Sequence, residues 1–135
     1  MIRGSCLCGN VGYEIDGTLD AMMHCHCTQC RKASGGAFGT YVKVGYGQFR
    51  FVLGRNDVAS YASSAGVRRT FCKACGSSLQ FIRQSRLEGF WLAAGTLDDD
   101  PGVRPTHHLF VGSKAPWCEI ADRLPQFYAR KPLAG

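Results

Sequence analysis

The chain has 135 residues, of which 17 are glycine and 19% are charged, and this composition excludes a disordered segment or a long coiled coil. The formal net charge of +6 counts the eight cysteines as neutral. Seven cysteine thiolates holding two Zn²⁺ ions would lower it to +3, which argues against nucleic acid as a partner and suits small anionic molecules. No apolar run approaches the roughly 18 residues of a membrane helix, so no membrane partner is expected.

Short apolar stretches separated by glycine-rich turns predict one mainly β domain over residues 1–135. Val11, Tyr13 and Ile15 alternate with Gly12 and Glu14, which is the period of a half-buried strand. Further strands are predicted at 19–25, 38–44, 48–53, 58–61, 67–72, 79–82, 90–94 and 108–111. A short helical turn is predicted at 28–33, a short helix at 119–124 and a loop at 96–102.

Four cysteines form two short pairs far apart in the chain, Cys6 with Cys8 and Cys72 with Cys75. Zinc prefers thiolate sulfur, and structural zinc sites commonly take two such pairs. We expect these pairs to form a closed four-cysteine site that joins the first strand to the middle of the sheet.

Cys25, Cys27 and Cys30 offer three sulfurs from one local segment, with no second pair to complete a tetrahedron. Three protein ligands with an open fourth position are typical of catalytic zinc. Three alternatives remain open. A histidine could complete a structural site, Cys6 or Cys8 could join this group, or a Cys-x-x-Cys pair could act as a redox dithiol. The candidate histidines are His24, His26, His107 and His108.

Other residues near the cysteines are candidates for supporting roles. In an extended segment the His26 side chain would point away from Cys25 and Cys27, which favours hydrogen bonding or packing. Basic residues follow Cys30 and precede Cys72, where they would either attract carboxylates or form a solvated face; they are Arg31, Lys32, Arg68 and Arg69. Cys118 stands alone and is interpreted as a buried free thiol.

Residues 1–5 lead into Cys6 without the apolar run of a secretory signal. In a reducing compartment, clustered cysteines bind metal or perform redox chemistry more often than they form disulfides. We therefore expect the protein in the cytoplasm.

Four segments together resemble the glutathione-dependent formaldehyde-activating family, which includes the centromere protein V domain. They are residues 4–13 (GSCLCGNVGY), 25–32 (CHCTQCRK), 71–79 (FCKACGSSL) and 108–117 (HLFVGSKAPW). The resemblance implies an antiparallel β-tent pinned by zinc, similar to the methionine-R-sulfoxide reductases. It also implies a structural zinc on the outlying pairs (Cys6, Cys8, Cys72 and Cys75) and a catalytic zinc on Cys25, Cys27 and Cys30.

The resemblance implies a carbon-sulfur lyase that joins glutathione and formaldehyde into S-hydroxymethylglutathione. Our hypothesis is that the zinc activates the thiol, that His26 or His108 protonates the product oxygen, and that the four basic residues attract the carboxylates of glutathione. One alternative is a non-catalytic zinc-binding module for a small thiol, a protein or nucleic acid. Another is a reductase with Cys118 as its nucleophile. A homo-oligomer is compatible with the sequence.

Overall fold

The computed structural model describes residues 1–132, and the last three residues of the predicted domain lie outside this part. It is mainly β, as predicted, with ten strands and one α-helix in the described residues. The strands are β1 (Ile2–Ser5), β2 (Gly12–Ile15), β3 (Met22–Cys25), β4 (Gly39–Gly45), β5 (Phe49–Leu53), β6 (Val58–Ser64), β7 (Val67–Cys72), β8 (Ser78–Arg83), β9 (Gly89–Ala93) and β10 (His108–Leu109). The helix α1 spans Thr28–Ser34.

The strands form two sheets. A three-stranded antiparallel sheet has the order β1-β2-β5, and a seven-stranded sheet has the order β10-β3-β4-β9-β8-β7-β6. All neighbours in the larger sheet are antiparallel except β10 and β3, which pair in parallel. The main core joins buried side chains of both sheets, with Tyr13 and Ile15 from β2, Val42 and Val44 from β4 and Leu92 from β9. Burying such side chains stabilises each by about 1.5–3 kcal/mol relative to exposure.

The alternation of apolar residues located most strands to within a few residues, and the strand predicted at 67–72 has the observed bounds. The predicted strands do not include β1, which pairs with β2. The helix predicted at 119–124 is wrong, since this segment has no regular structure. Its Asp122 carboxylate accepts hydrogen bonds from the Leu124 amide and the His108 ring, and these contacts replace helical hydrogen bonds.

Helix α1 begins directly after the central cysteines. Cys27 is its N-cap, with the Cys27 sulfur accepting from the amide of Cys30 at 3.3 Å. Gly35 ends it with a φ of 74°, a left-handed conformation that favours glycine. This short turn places Cys30 back toward Cys25 and Cys27. No helix among residues 1–132 is both long and apolar enough to cross a membrane.

Candidate metal centres and the adjoining cleft

The two outlying cysteine pairs come together in one group. Cys6 and Cys8 follow β1, Cys72 ends β7, and Cys75 lies in the next turn; their four Sγ atoms lie within 4.8 Å of one another. The Sγ atom of Cys8 is 3.6 Å from that of Cys6 and 3.8 Å from that of Cys72. A tetrahedral zinc ion with bonds of about 2.3 Å keeps its sulfur ligands about 3.8 Å apart. The group therefore has the spacing of a closed four-coordinate metal site, which we call the four-cysteine group.

Hydrogen bonds hold the two halves of the four-cysteine group together. The Val11 amide donates to Cys6 Sγ at 3.3 Å, and the Ser77 hydroxyl lies 3.3 Å from Cys75 Sγ. The same hydroxyl accepts from the Leu7 amide at 2.9 Å. Ser77 thus connects the segment of Cys6 and Cys8 to the segment of Cys72 and Cys75.

Cys25, Cys27 and Cys30 form a second group, whose Sγ atoms also lie within 4.8 Å of one another. Cys25 and Cys30 are buried and Cys27 is half-buried. Within residues 1–132, no further cysteine and no histidine, aspartate or glutamate joins this three-cysteine group. The cysteine partition is therefore the four-plus-three arrangement expected from the spacing, and neither Cys6 nor Cys8 is in the central group.

The three thiols of the central group influence one another's ionisation. Hydrogen bonds from Cys25 and Cys30 hold the pKa of Cys27 well below its usual range, to about 2. The reciprocal hydrogen bonds with Cys27 and Cys30, together with burial, raise the pKa of Cys25. Cys27 thus loses its proton readily, whereas Cys25 keeps its proton more strongly. A divalent cation would allow all three sulfurs to lose their protons.

One cation already lies beside this group. Arg69 of β7 donates from one terminal nitrogen to Cys30 Sγ at 3.7 Å and from the other to the Tyr41 hydroxyl at 3.2 Å. Its Nε donates to the Ser63 hydroxyl at 3.2 Å, and its guanidinium carbon lies 4.8 Å from the centre of the Phe81 ring. Four contacts therefore fix this guanidinium against the three-cysteine group.

All three central cysteines line an open cleft of about 1100 Å³ on the larger sheet. Aromatic side chains and several cationic side chains line it. Strand register places Lys43 opposite Trp91, Trp91 opposite Phe81 and Phe81 opposite Arg69. Arg83 lies two residues along β8, with its guanidinium 5.6 Å from the Phe81 ring centre. A cationic and aromatic surface thus extends from the three-cysteine group across four strands, which suits an anionic ligand with a flat or apolar part.

The predicted proton donors lie in a different place. His26 and His108 are buried, and His26 Nε2 is 2.8 Å from His108 Nδ1. His108 Nε2 lies 3.0 Å from the Asp122 carboxylate. Burial, together with the neighbouring His108, lowers the pKa of His26 to about 4. Neither histidine is among the residues that line the cleft, whereas the adjacent His107 is.

The four predicted basic residues have separate surroundings. Arg69 lines the cleft, while Arg31 donates to the Ser113 carbonyl at 3.0 Å and Lys32 is exposed on α1. Arg68 is exposed and donates to the Ser60 hydroxyl at 2.8 Å. Cys118 is half-buried and lies outside both cysteine groups.

Sequence reasoning missed Tyr41, Lys43, Phe81 and Trp91 as cleft residues. The available signal was the alternation within β4 and β8, which places Tyr41 with Lys43, and Phe81 with Arg83, on one face of their strands. Which strands are neighbours, and in which register, depends on pairing between distant segments.

Comparisons with known proteins identify the family of this chain. A sequence model described as glutathione-dependent formaldehyde-activating enzyme matches residues 1–113. A protein of Schizosaccharomyces pombe described as an uncharacterized lyase is 32% identical over 125 residues, which cover 93% of this chain and 89% of that protein. The crystal structure of a Rhodobacter sphaeroides protein has a similar fold, with a TM-score of 0.61 and 24% identity over 76% of this chain and 91% of the other. The chain therefore belongs to the glutathione-dependent formaldehyde-activating enzyme family.

Proposed function

We propose that this protein is a zinc-dependent carbon-sulfur lyase that joins glutathione, or a similar thiol, to formaldehyde or another small aldehyde. The observation that carries the proposal is a group of three cysteines, without a fourth ligand among the described residues, at the wall of an open cleft. The family match and the description of the yeast relative as a lyase support the same chemistry.

The proposal includes two zinc ions. The four-cysteine group supplies four thiolates and would hold a structural ion; the three-cysteine group would hold the ion that takes part in the reaction. Zinc is preferred because it is borderline-soft and favours tetrahedral sulfur ligation. An ion in the three-cysteine group would supply Lewis acidity that lowers the pKa of a thiol reaching it.

In the proposed reaction, the sulfur electron pair of the thiol forms the new carbon–sulfur bond. The π electrons of the aldehyde carbonyl move to its oxygen, and the proton lost by the thiol ends on that oxygen. The cleft residues bind and orient the thiol, with Trp91 and Phe81 against its apolar part and Lys43 and Arg83 near its carboxylates. Three thiolates donate strongly to one ion and weaken its Lewis acidity, so most of the rate gain would come from this positioning.

The source of the product proton remains a prediction. His26 and His108 are the donors predicted from the sequence, and His107 and Tyr41 are titratable groups that line the cleft. Of the basic residues predicted to attract substrate, Arg69 has the position closest to the three-cysteine group. Arg31, Lys32 and Arg68 stay predictions for substrate binding.

The direct test is the rate of exchange between free and thiol-bound formaldehyde, followed by NMR with glutathione. We expect the zinc-loaded protein to accelerate exchange above the uncatalysed rate and a Cys27→Ser variant to lose the acceleration. Cys118→Ser is the matched control, because Cys118 lies outside both cysteine groups. Equal exchange rates with wild type, with Cys27→Ser and without protein would disprove the formaldehyde reaction.

A second candidate is a non-catalytic zinc module that binds an anionic partner. The observation that favours it is the row of Lys43, Trp91, Phe81 and Arg69, because stacking platforms flanked by cations bind single-stranded nucleic acid. Retention of a labelled single-stranded oligonucleotide at physiological ionic strength, lost in Trp91→Ala, would support this module. The absence of retention would leave the small-molecule function.

A further inference from the structure

Arg69 differs from the other basic residues near the cysteines because its whole guanidinium is fixed. Its Nε and both terminal nitrogens each donate to a named acceptor, and its carbon lies over the Phe81 ring. A surface arginine that only attracts ligands would keep its rotamers free. The fixed geometry therefore indicates a permanent role toward Cys30.

Cys30 receives a charged donor in this arrangement. Arg69 donates to Cys30 Sγ at 3.7 Å, and the Tyr41 hydroxyl accepts from the other terminal nitrogen of the same guanidinium. Tyr41 is only 7% exposed, so water does not weaken these interactions strongly. The guanidinium stabilises negative charge on this sulfur.

The four-cysteine group has no comparable cation. Its sulfurs take hydrogen bonds from the Val11 amide and the Ser77 hydroxyl, and within residues 1–132 no lysine or arginine side chain hydrogen-bonds to them. The nearby Lys73 pairs with Asp57 at 3.7 Å instead. Among the described residues, a cation therefore hydrogen-bonds only to the group that lacks a fourth protein ligand.

The net charge of a metal ion in the three-cysteine group explains why a cation beside it is useful. A divalent ion with three thiolates carries a net charge of −1, and an added thiolate would make it −2, a change opposed in a partly buried site. A guanidinium beside Cys30 offsets one negative charge. A neutral fourth ligand, such as imidazole or water, would gain much less from it.

We propose that Arg69 is a positioning residue that makes the three-cysteine site select an anionic thiolate, over a neutral molecule, as its additional ligand. This inference rests on the metal site of the proposed function, but not on the aldehyde reaction. Tyr41, Ser63 and Phe81 hold the guanidinium in place, so the selectivity is a property of the folded sheet.

The test compares two small probes on zinc-loaded protein by isothermal titration calorimetry. 2-Mercaptoethanol binds as a thiolate and has no carboxylate, and imidazole binds as a neutral ligand. We expect Arg69→Met to weaken 2-mercaptoethanol binding by about tenfold and to change imidazole binding by less than about twofold. Arg69→Lys keeps the charge and should restore most of the thiol affinity.

Arg55→Met is the matched control, because Arg55 is exposed at the turn before β6 and is not among the residues that line the cleft. It should leave both affinities unchanged. Equal weakening of both probes in Arg69→Met, or no weakening of either, would overturn the inference. Loss of zinc from Arg69→Met, with full zinc content in Arg55→Met, would also overturn it, by assigning Arg69 to metal retention.

The two proposals fail in different ways. In one outcome, the wild type prefers the thiol, Arg69→Met loses this preference, and no protein accelerates formaldehyde exchange. This outcome would support the role of Arg69 and overturn the lyase reaction. Acceleration of formaldehyde exchange with unchanged selectivity in Arg69→Met would support the lyase and overturn the role of Arg69. A wild-type protein that binds neither probe would overturn both.

Discussion

His108 Nδ1 lies 2.8 Å from His26 Nε2, and this contact attaches β10 to the segment between two cysteines of the three-cysteine group. The Asp122 carboxylate accepts from His108 Nε2, so Nδ1 of a neutral His108 is the acceptor and His26 Nε2 is the donor. The backbone adds to this link, because the His26 amide donates to the Leu109 carbonyl at 2.9 Å. The C-terminal part of the described chain thus supports the segment of the three-cysteine group.

Removal of this link should destabilise the protein. His108→Ala leaves His26 Nε2 without its buried acceptor, and we expect the free energy of unfolding to fall by about 1–3 kcal/mol. Chemical denaturation of the zinc-loaded protein measures this free energy of unfolding. His107→Ala is the control, since His107 is not fully buried and its ring contacts the Thr106 hydroxyl. A similar loss in both variants would contradict a specific role for the buried histidine pair.

Acid should weaken the same link through Asp122. The hydrogen bond from His108, followed by that from the Leu124 amide, lowers the pKa of Asp122. A lowered carboxyl pKa gives stability that is present above the unfolded value of about 3.9 and is lost as the pH falls through the folded value. We therefore expect Asp122→Asn to lose less stability than wild type between about pH 5 and pH 3. Unfolding curves at several pH values test this, with the exposed Asp20→Asn as control, and parallel losses in wild type and Asp122→Asn would contradict it.

The two cysteine groups should respond differently to loss of one ligand. Cys72 is fully buried and joins β7 to the segment after β1, so Cys72→Ser should lose one zinc ion and several kcal/mol of stability. Cys27→Ser should lose the other ion and keep the fold, because its three cysteines lie within six residues of one another. Mass spectrometry measures the zinc content of each variant, and circular dichroism measures whether it is folded. Unfolding of both, or of neither, would contradict the division into a structural and a functional site.

The cationic end of the cleft should recognise the carboxylates of the thiol. Arg83→Ala should weaken glutathione binding by roughly fivefold to tenfold, because it removes a charge-assisted contact from a partly exposed site. Binding of 2-mercaptoethanol, which has no carboxylate, should stay unchanged. Calorimetry with both ligands gives the comparison, and Arg55→Ala, at the turn before β6, is the control. Equal weakening of both ligands would show that Arg83 acts on the fold instead.

Gly54 should tolerate no side chain. Its φ is 70°, and a Cβ atom there would lie 1.8 Å from the carbonyl oxygen of Asn10, next to the segment of Cys6 and Cys8. We expect Gly54→Ala to lower the free energy of unfolding by roughly 2–4 kcal/mol, from backbone strain and steric overlap. Gly95→Ala is the control, because no heavy atom lies within 4 Å of its added Cβ atom. Thermal denaturation measures both, and equal melting temperatures would contradict the steric argument.

The amino-acid sequence by itself determined the mainly β class and most strand positions, and it favoured the four-plus-three division of the cysteines. These features depend on local signals: alternation of apolar residues, turn-forming glycines and the spacing of thiols suited to tetrahedral zinc. It did not predict β1, and it placed a helix at 119–124 where Asp122 instead binds His108. Such errors arise where long-range contacts override local preference.

Only the tertiary structure decided what surrounds the three-cysteine group. The sequence treated Arg68 and Arg69 alike, and strand pairing placed one on the exposed face and the other against Cys30. It also assembled Lys43, Trp91 and Phe81 from three strands into one surface, although these residues are far apart in the chain. The physical reason is that side chains alternate between the faces of a strand, while register between distant segments decides which of them meet.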